Sequence, residues 1–250
     1  MESMNLESVA YLPFNNFMHY LRYNRFDLSE WSGQNSAEAK LGGNCIYKSI
    51  LVSSLLKSVS SDVFCVIDQK GMHHAILYVD SGVLYFFDPC LYMKAPLCVN
   101  SDFVCQHTSL SGLSDANFVA LQATIGSEYI CVWNYVSGDS DHCWHALYDF
   151  SECCDVPMFD WAVESFKPKP SYLSFRFFNK STLTIQTLFM HKDSFSLYFQ
   201  ESFGERRLVV GGFGAAFKSE FFDSVGLEVD FILACMRISI PYVNSFERFF

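Results

Sequence analysis

The run HHAILYVDSGVLYFFDP, His73 to Pro89, constrains this chain more than any other stretch. Two runs rich in β-branched and aromatic residues are separated by a connection short enough to make them a hairpin. HAILYV and VLYFFD flank Asp80-Ser81-Gly82, and a three-residue loop with glycine last predicts a type I turn followed by a G1 bulge. Val79 then pairs with Val83, and His74 lies directly opposite Asp88 with Cβ atoms ~4.5–5.5 Å apart. Ile76, Tyr78, Leu84 and Phe86 share that face. His73 competes at the same locus but points to the other face, and a slip of one residue would break the His74–Asp88 pairing.

A histidine beside a carboxylate is the orienting half of a catalytic triad. Asp88 would fix the imidazole tautomer and stabilise the imidazolium, while the other ring nitrogen takes a proton from a thiol. A satisfied histidine on a half-buried strand is the plainer account of such a pair in isolation.

The thiol is offered by LGGNCIYKS, Leu41 to Ser49. Two glycines permit a tight backbone approach, Asn44 is a natural helix N-cap, and Cys45 becomes the first helical residue. Unpaired N–H groups and the positive dipole end at that position favour a thiolate, the nucleophilic form of cysteine. A buried, inert cysteine is the alternative.

Around these segments the pattern is helical from about Leu6 to Lys57, with Phe14, Phe17 or Met18, and Leu21 in register and then Ile46, Ile50, Leu51 and Leu55. From Val63 to about Tyr148 short strands follow one another: DVFCVI, HAILYV, VLYFFD, FVALQAT, YICVWNYV and WHALYDF. Beyond Pro170 come LSFRFF, TLTIQTLFMH and SFSLYFQ, then a helix with Phe217, Phe221 and Val225 on one face and Gly226 as its cap. LEVDFILACMRISI alternates like a terminal strand pair. The fold class is α+β, with divisions expected at 1–62 (helical, carrying the nucleophile), 63–170 (β, carrying His and Asp) and 171–250 (mixed).

Charge narrows the function. With 17 basic and 27 acidic residues the net charge is −10, so nucleic acid is not an expected partner. No apolar run reaches the ~18 residues of a membrane span. The start has neither the basic nor the hydrophobic region of a secretory signal, and the 10 cysteines include no C-x-x-C pair, so a reduced, cytoplasmic protein is expected. His142, Cys143, His145, Cys153 and Cys154 invite a zinc reading, but their spacing matches no common site and no metal is assigned. Lys167 with Lys169, and Arg206 with Arg207, are short basic clusters that read as solvated turns, with a nucleotide phosphate as the weaker alternative.

In chain order these pieces resemble one family, the arylamine N-acetyltransferases. YLPFNNF (Tyr11 to Phe17) is similar to that family's P-F-E-N-L element, and LGGNCIYKS to its R-G-G-x-C-x-E/Q-x-N box. HAILYV with YFFDP is similar to its H-x-x-L-x-V…D-V-G segment. WHALYDF and the tract FDWAVESFKPKPSYLSF resemble the elements that follow, and FFDSVGLEV resembles its closing L-x-x-x-F-G-I-x-L. Leu41, Tyr47 and Ser49 stand where the family has Arg, Glu or Gln, and Asn, and Pro89-Cys90 stands for Val-Gly.

The resemblance implies an N-terminal helical bundle, a central antiparallel β-barrel and a C-terminal α/β lid. It implies a triad of Cys45, His74 and Asp88, and we assign Phe14, Tyr47, His73 and Phe86 to substrate binding beside it. The implied reaction passes an acyl group from a thioester (acetyl-CoA, another acyl-CoA or an acyl carrier protein) through acyl-Cys45 to a small amine, with no permanently bound cofactor. An amide synthase releasing a carrier-bound polyketide, a cysteine hydrolase (peptidase, deamidase or thioesterase) on the same triad, and a non-catalytic binding domain are the alternatives.

Overall fold

The computed structural model describes residues 6–23, 40–68, 73–91, 93, 96–99, 106–110, 119–125, 129–136, 143–144, 147–155, 170–201 and 204–245. In chain order, helix α1 (Leu6–Tyr11), strand β1 (Phe14–Asn15) and helix α2 (Met18–Tyr23) precede helix α3 (Cys45–Leu56). Strands β2 (Val63–Asp68), β3 (His74–Asp80) and β4 (Val83–Phe87) lead through a 3-10 turn at Pro89–Leu91 to β5 (Leu97–Val99). Then come β6 (Gln106–Leu110), β7 (Val119–Ile125), β8 (Tyr129–Val136), β9 (Cys143–Trp144) and β10 (Leu147–Asp155). The last group is β11 (Tyr172–Asn179), β12 (Thr184–His191), β13 (Leu197–Glu201), β14 (Arg207–Leu208), α4 (Ala215–Val225) and α5 (Val229–Ser245).

The chain divides into two compact units, Met1–Tyr11 with Cys45–Ala162, and Leu12–Asn44 with Val163–Phe250. The three consecutive segments 1–62, 63–170 and 171–250 divide the chain differently, because each unit is assembled from two stretches distant in sequence.

The first unit is built on an antiparallel sheet of order β5-β4-β3-β2-β10-β8-β7-β6, with β9 paired to β8 off this path. Helix α3 packs on β2 and β3, presenting Cys45, Ile46, Ser49, Val52, Ser53 and Leu56 in a three- and four-residue rhythm. β3 is buried continuously from His74 to Tyr78, as its unbroken apolar run predicts for a strand covered on both faces. Lys48, also buried, donates from Nζ to the Ala10 carbonyl at 3.1 Å and so ties α3 to α1. Among the described residues the path of strands has two ends and no closed barrel is found, which corrects the barrel expectation. Nor do the described residues of 1–62 show a helical bundle. Helices α1 and α3 fall in one unit and α2 in the other.

In the second unit the sheet order is β1-β11-β12-β13-β14. Leu173, Phe175 and Phe177 alternate along β11 and, with Leu188 and Met190 of β12, form a core with Phe17, Leu21, Phe221, Ile232 and Met236 from the helices. Helix α4 ends as its sequence demands: Gly226 adopts φ 75° and its N–H returns to the Phe222 carbonyl at 2.7 Å. The terminal tract, read as alternating strands, is instead helix α5. Its buried residues Val229, Ile232, Met236, Ile240 and Val243 recur every three or four positions, a helical stripe that the dense apolar neighbours hide from a test of alternation.

The YLPFNN element has a structural task in this unit. Asn15 accepts from the Met18 N–H at 2.9 Å, starting α2, and donates from Nδ2 to the Leu41 carbonyl at 2.8 Å. The Gly43 N–H donates to the Pro13 carbonyl at 3.2 Å. Gly42 sits at φ 66°, and a Cβ there would lie 2.1 Å from the Pro13 oxygen. Gly42→Ala combines a left-handed backbone with a backbone clash, and is expected to destabilise the protein by ~3 kcal/mol or more. A urea midpoint unchanged from the parent would refute that packing.

Candidate active site

The β3–β4 hairpin closes one residue tighter than its sequence suggests. Asp80 belongs to β3 and pairs with Val83, leaving a two-residue turn in which Ser81 (φ 51°) and Gly82 (φ 79°) are both left-handed, the type I′ pattern. Ile76 therefore pairs with Phe87 and Leu77 with Phe86. This shift moves Asp88 to the face of the odd-numbered residues of β3, and with it changes which histidine Asp88 meets.

His73, not His74, meets the carboxylate. His73 Nε2 lies 2.6 Å from Asp88 Oδ2, both residues buried. The His74 ring faces the other way, with Nδ1 3.3 Å from Cys65 Sγ. The expectation that His74 pairs with Asp88 is thus corrected by a register shift of one residue. His73, assigned to substrate contact from the sequence, is the imidazole of the cluster.

Asp88 is held from several sides. Oδ1 accepts the Cys90 N–H at 2.8 Å, an Asx-type turn through Pro89, and Oδ2 also accepts the Tyr148 hydroxyl at 3.1 Å. The Asp88 N–H points at Met93 Sδ, 3.2 Å away. His73 is fixed through its backbone: its N–H donates to Asp68 Oδ1 at 2.7 Å, and the Asp68 N–H returns to the His73 carbonyl at 2.9 Å. Sequence reasoning missed Tyr148 and Asp68. Tyr148 read as core aromatic within WHALYDF, and nothing local to Asp68 marks it. Asp88-Pro89-Cys90 did carry a turn signal.

Cys45 opens helix α3, as its Gly-Gly-Asn prefix predicted, and its thiol lies near enough to His73 to help raise that ring's pKa. Ser49, one turn further along α3, donates to the His74 carbonyl at 3.5 Å and links α3 to the strand that carries His74. Tyr47 is half-buried two residues after Cys45. Phe86 is fully buried with its ring 5.4 Å from that of Tyr148. Phe14 lies in the second unit, on β1 opposite Arg176, whose guanidinium sits 4.7 Å over its ring.

The two histidines titrate in opposite directions. For His73 burial, the largest influence, opposes the charge, but the Asp88 carboxylate and Cys45 outweigh it and raise the pKa to about 10. His74 is lowered to about 4 by burial first and then by His73. His19, in the second unit, is lowered to about 3 by burial and then by Arg22. The lowered pair take up protons first in the unfolded chain, so their stabilisation is complete above the ordinary 6.5 and lost as pH falls toward 4 and 3. His73 has the opposite sign, with a contribution complete below 6.5 and lost as pH rises through about 10. Denaturation across pH is expected to show an acid-side loss of stability that shrinks by on the order of 3 kcal/mol at pH 3 in His74→Gln. An unaltered acid limb in that variant would contradict the buried neutral ring.

The other candidates resolve less favourably. His142 and His145 lie outside the described residues, as do Lys167 and Lys169. Among the described residues no group of three or more His, Cys, Asp or Glu is arranged to hold a metal, and no helix is long and apolar enough to cross a membrane. Arg206 stacks on the sheet, its guanidinium 4.0 Å from the centre of the Phe189 ring and 5.2 Å from that of Tyr172.

A thiol at a helix start, a buried imidazole and a carboxylate lie within one unit. In fold, the chain is similar to the crystal structure of an arylamine N-acetyltransferase from Nocardia farcinica, with a TM-score of 0.57 over 94% of this chain and 86% of that one at 12% identity. This is a likeness of architecture, with mixed α and β elements and two antiparallel sheets. No protein-family model matches the sequence, and no curated protein matches it.

Proposed function

We propose that this chain is a cysteine-dependent acyltransferase that carries an acyl group from a thioester to an amine through acyl-Cys45. The observation that carries the reading is the His73–Asp88 contact of 2.6 Å, with Cys45 near the same ring. The fold likeness to an arylamine N-acetyltransferase supports it.

In the first step the Cys45 thiolate attacks the thioester carbonyl. Developing charge on the carbonyl oxygen falls near N–H groups at the start of α3, which suit an oxyanion. The His73 imidazolium gives its proton to the departing thiolate, leaving acyl-Cys45. In the second step an amine attacks the acyl group, neutral His73 takes the amine proton, and the thiolate is expelled. Asp88 stabilises the imidazolium and fixes its orientation, while Tyr148 and the Cys90 N–H hold Asp88. Tyr47 is the residue of α3 assigned to contact the acyl group or the amine. Acyl-CoA or an acyl carrier protein is the donor, and the reading assigns the chemistry to the cytoplasm, where a thiol stays reduced.

Intact mass spectrometry after incubation with a panel of acyl-CoA and carrier thioesters tests this. An acyl adduct is expected on the parent protein and absent from Cys45→Ala. An adduct that survives in the variant would move the nucleophile elsewhere. Free acid as the sole product when an amine is present would favour a hydrolase on the same three residues.

A further inference from the structure

Two cysteines outside the triad face each other across the sheet. Cys154 of β10 pairs directly with Cys65 of β2, and its Sγ lies 3.6 Å from the Cys65 carbonyl oxygen. Opposed residues in an antiparallel pair have Cα atoms ~4.5–5.5 Å apart, within the ~4.4–6.8 Å that a disulfide spans. The neighbouring Cys153 pairs with Val66, so its side chain points to the opposite face.

The partners differ in access. Cys154 is exposed and Cys65 is buried, so an oxidant meets Cys154 first. Behind Cys65, His74 Nδ1 stands 3.3 Å from its sulfur and remains a neutral imidazole at physiological pH. The histidine that the hairpin register withdraws from Asp88 thus stands beside the Cys65 thiol.

We propose that Cys65 and Cys154 are an oxidation site that closes a reversible cross-strand disulfide when the protein meets a hydroperoxide. Hydrogen peroxide oxidises the Cys154 thiol to a sulfenic acid and leaves as water. The Cys65 sulfur then attacks the Cys154 sulfur and gives up its proton. The S–S bond forms as the S–O bond breaks, and the departing hydroxide recovers that proton as a second water. In sum, two thiols and one peroxide give one disulfide and two waters. The rung lies beyond the register break between Tyr148 and Cys153, so the bond fastens a short ladder that backbone pairing alone secures weakly.

The test uses the full reduced chain in the Cys45→Ala background, which removes the triad thiol and makes the outcome independent of the acyl-transfer reading. After peroxide treatment, alkylation and proteolysis, tandem mass spectrometry is expected to find a Cys65–Cys154 cross-linked peptide. Two fewer thiols per chain should react, and dithiothreitol should restore them. Cys153→Ser should retain the cross-link and Cys154→Ser should lose it. Sulfinic acid accumulating on Cys154 with Cys65 still reduced would overturn the proposal. So would a bond from Cys154 to any other cysteine.

Discussion

His73→Gln is expected to lower thioester turnover by ~10³–10⁴-fold, while His74→Gln leaves it within a few-fold of the parent. Glutamine fills a similar volume and hydrogen-bonds, but it cannot carry a proton from the thiol to the leaving group and back from the amine. The contrast is sharp because the two histidines are adjacent and both buried. Only His73 reaches Asp88 and Cys45, whereas His74 faces Cys65. Steady-state kinetics with thioester and amine, on variants shown by circular dichroism to be folded, would decide it. If His74→Gln were the inactive variant, the hairpin would have to close with the three-residue loop.

Asp88→Asn should cost a comparable ~10³–10⁴-fold in turnover with little change in shape. With its oxygen toward His73 and the Tyr148 hydroxyl, the amide turns an NH2 toward the Cys90 N–H, which it cannot accept as the carboxylate does, and it removes the negative charge that keeps His73 protonated. In the parent, the alkaline limb of the rate profile is expected near the His73 value of about 10. Without Asp88 the effect of burial dominates, so the limb should move to lower pH by more than one unit. A profile that keeps its alkaline limb, with turnover near normal, would remove Asp88 from the mechanism.

Both expectations turn on a single residue of register, and that is where sequence reading met its limit. Strand register is pinned when one face is apolar and the other polar, because a slip then exposes the core. β3 is buried on both faces, so HAILYV fits either alignment and offers no such pin. Asp80-Ser81-Gly82 also satisfies both loop chemistries. The same ambiguity made α5 resemble strands, since a tract apolar on nearly every side matches a period of two almost as well as 3.6.

What the sequence determined by itself was local: the strand–turn–strand around Gly82, Cys45 as the first residue of a helix behind Gly-Gly-Asn, α4 stopped at Gly226, and the presence of a histidine and an aspartate on one hairpin. Glycine's access to positive φ and the two periodicities of side chains act within a few residues, so they can be read from the chain. Tertiary structure alone decided that His73 faces Asp88, that Tyr148 from sixty residues away shares its oxygen, that His74 backs a pair of thiols, and that each unit joins two separated stretches. Those outcomes depend on which surfaces pack together, and packing partners distant in sequence leave no mark in the segments they select.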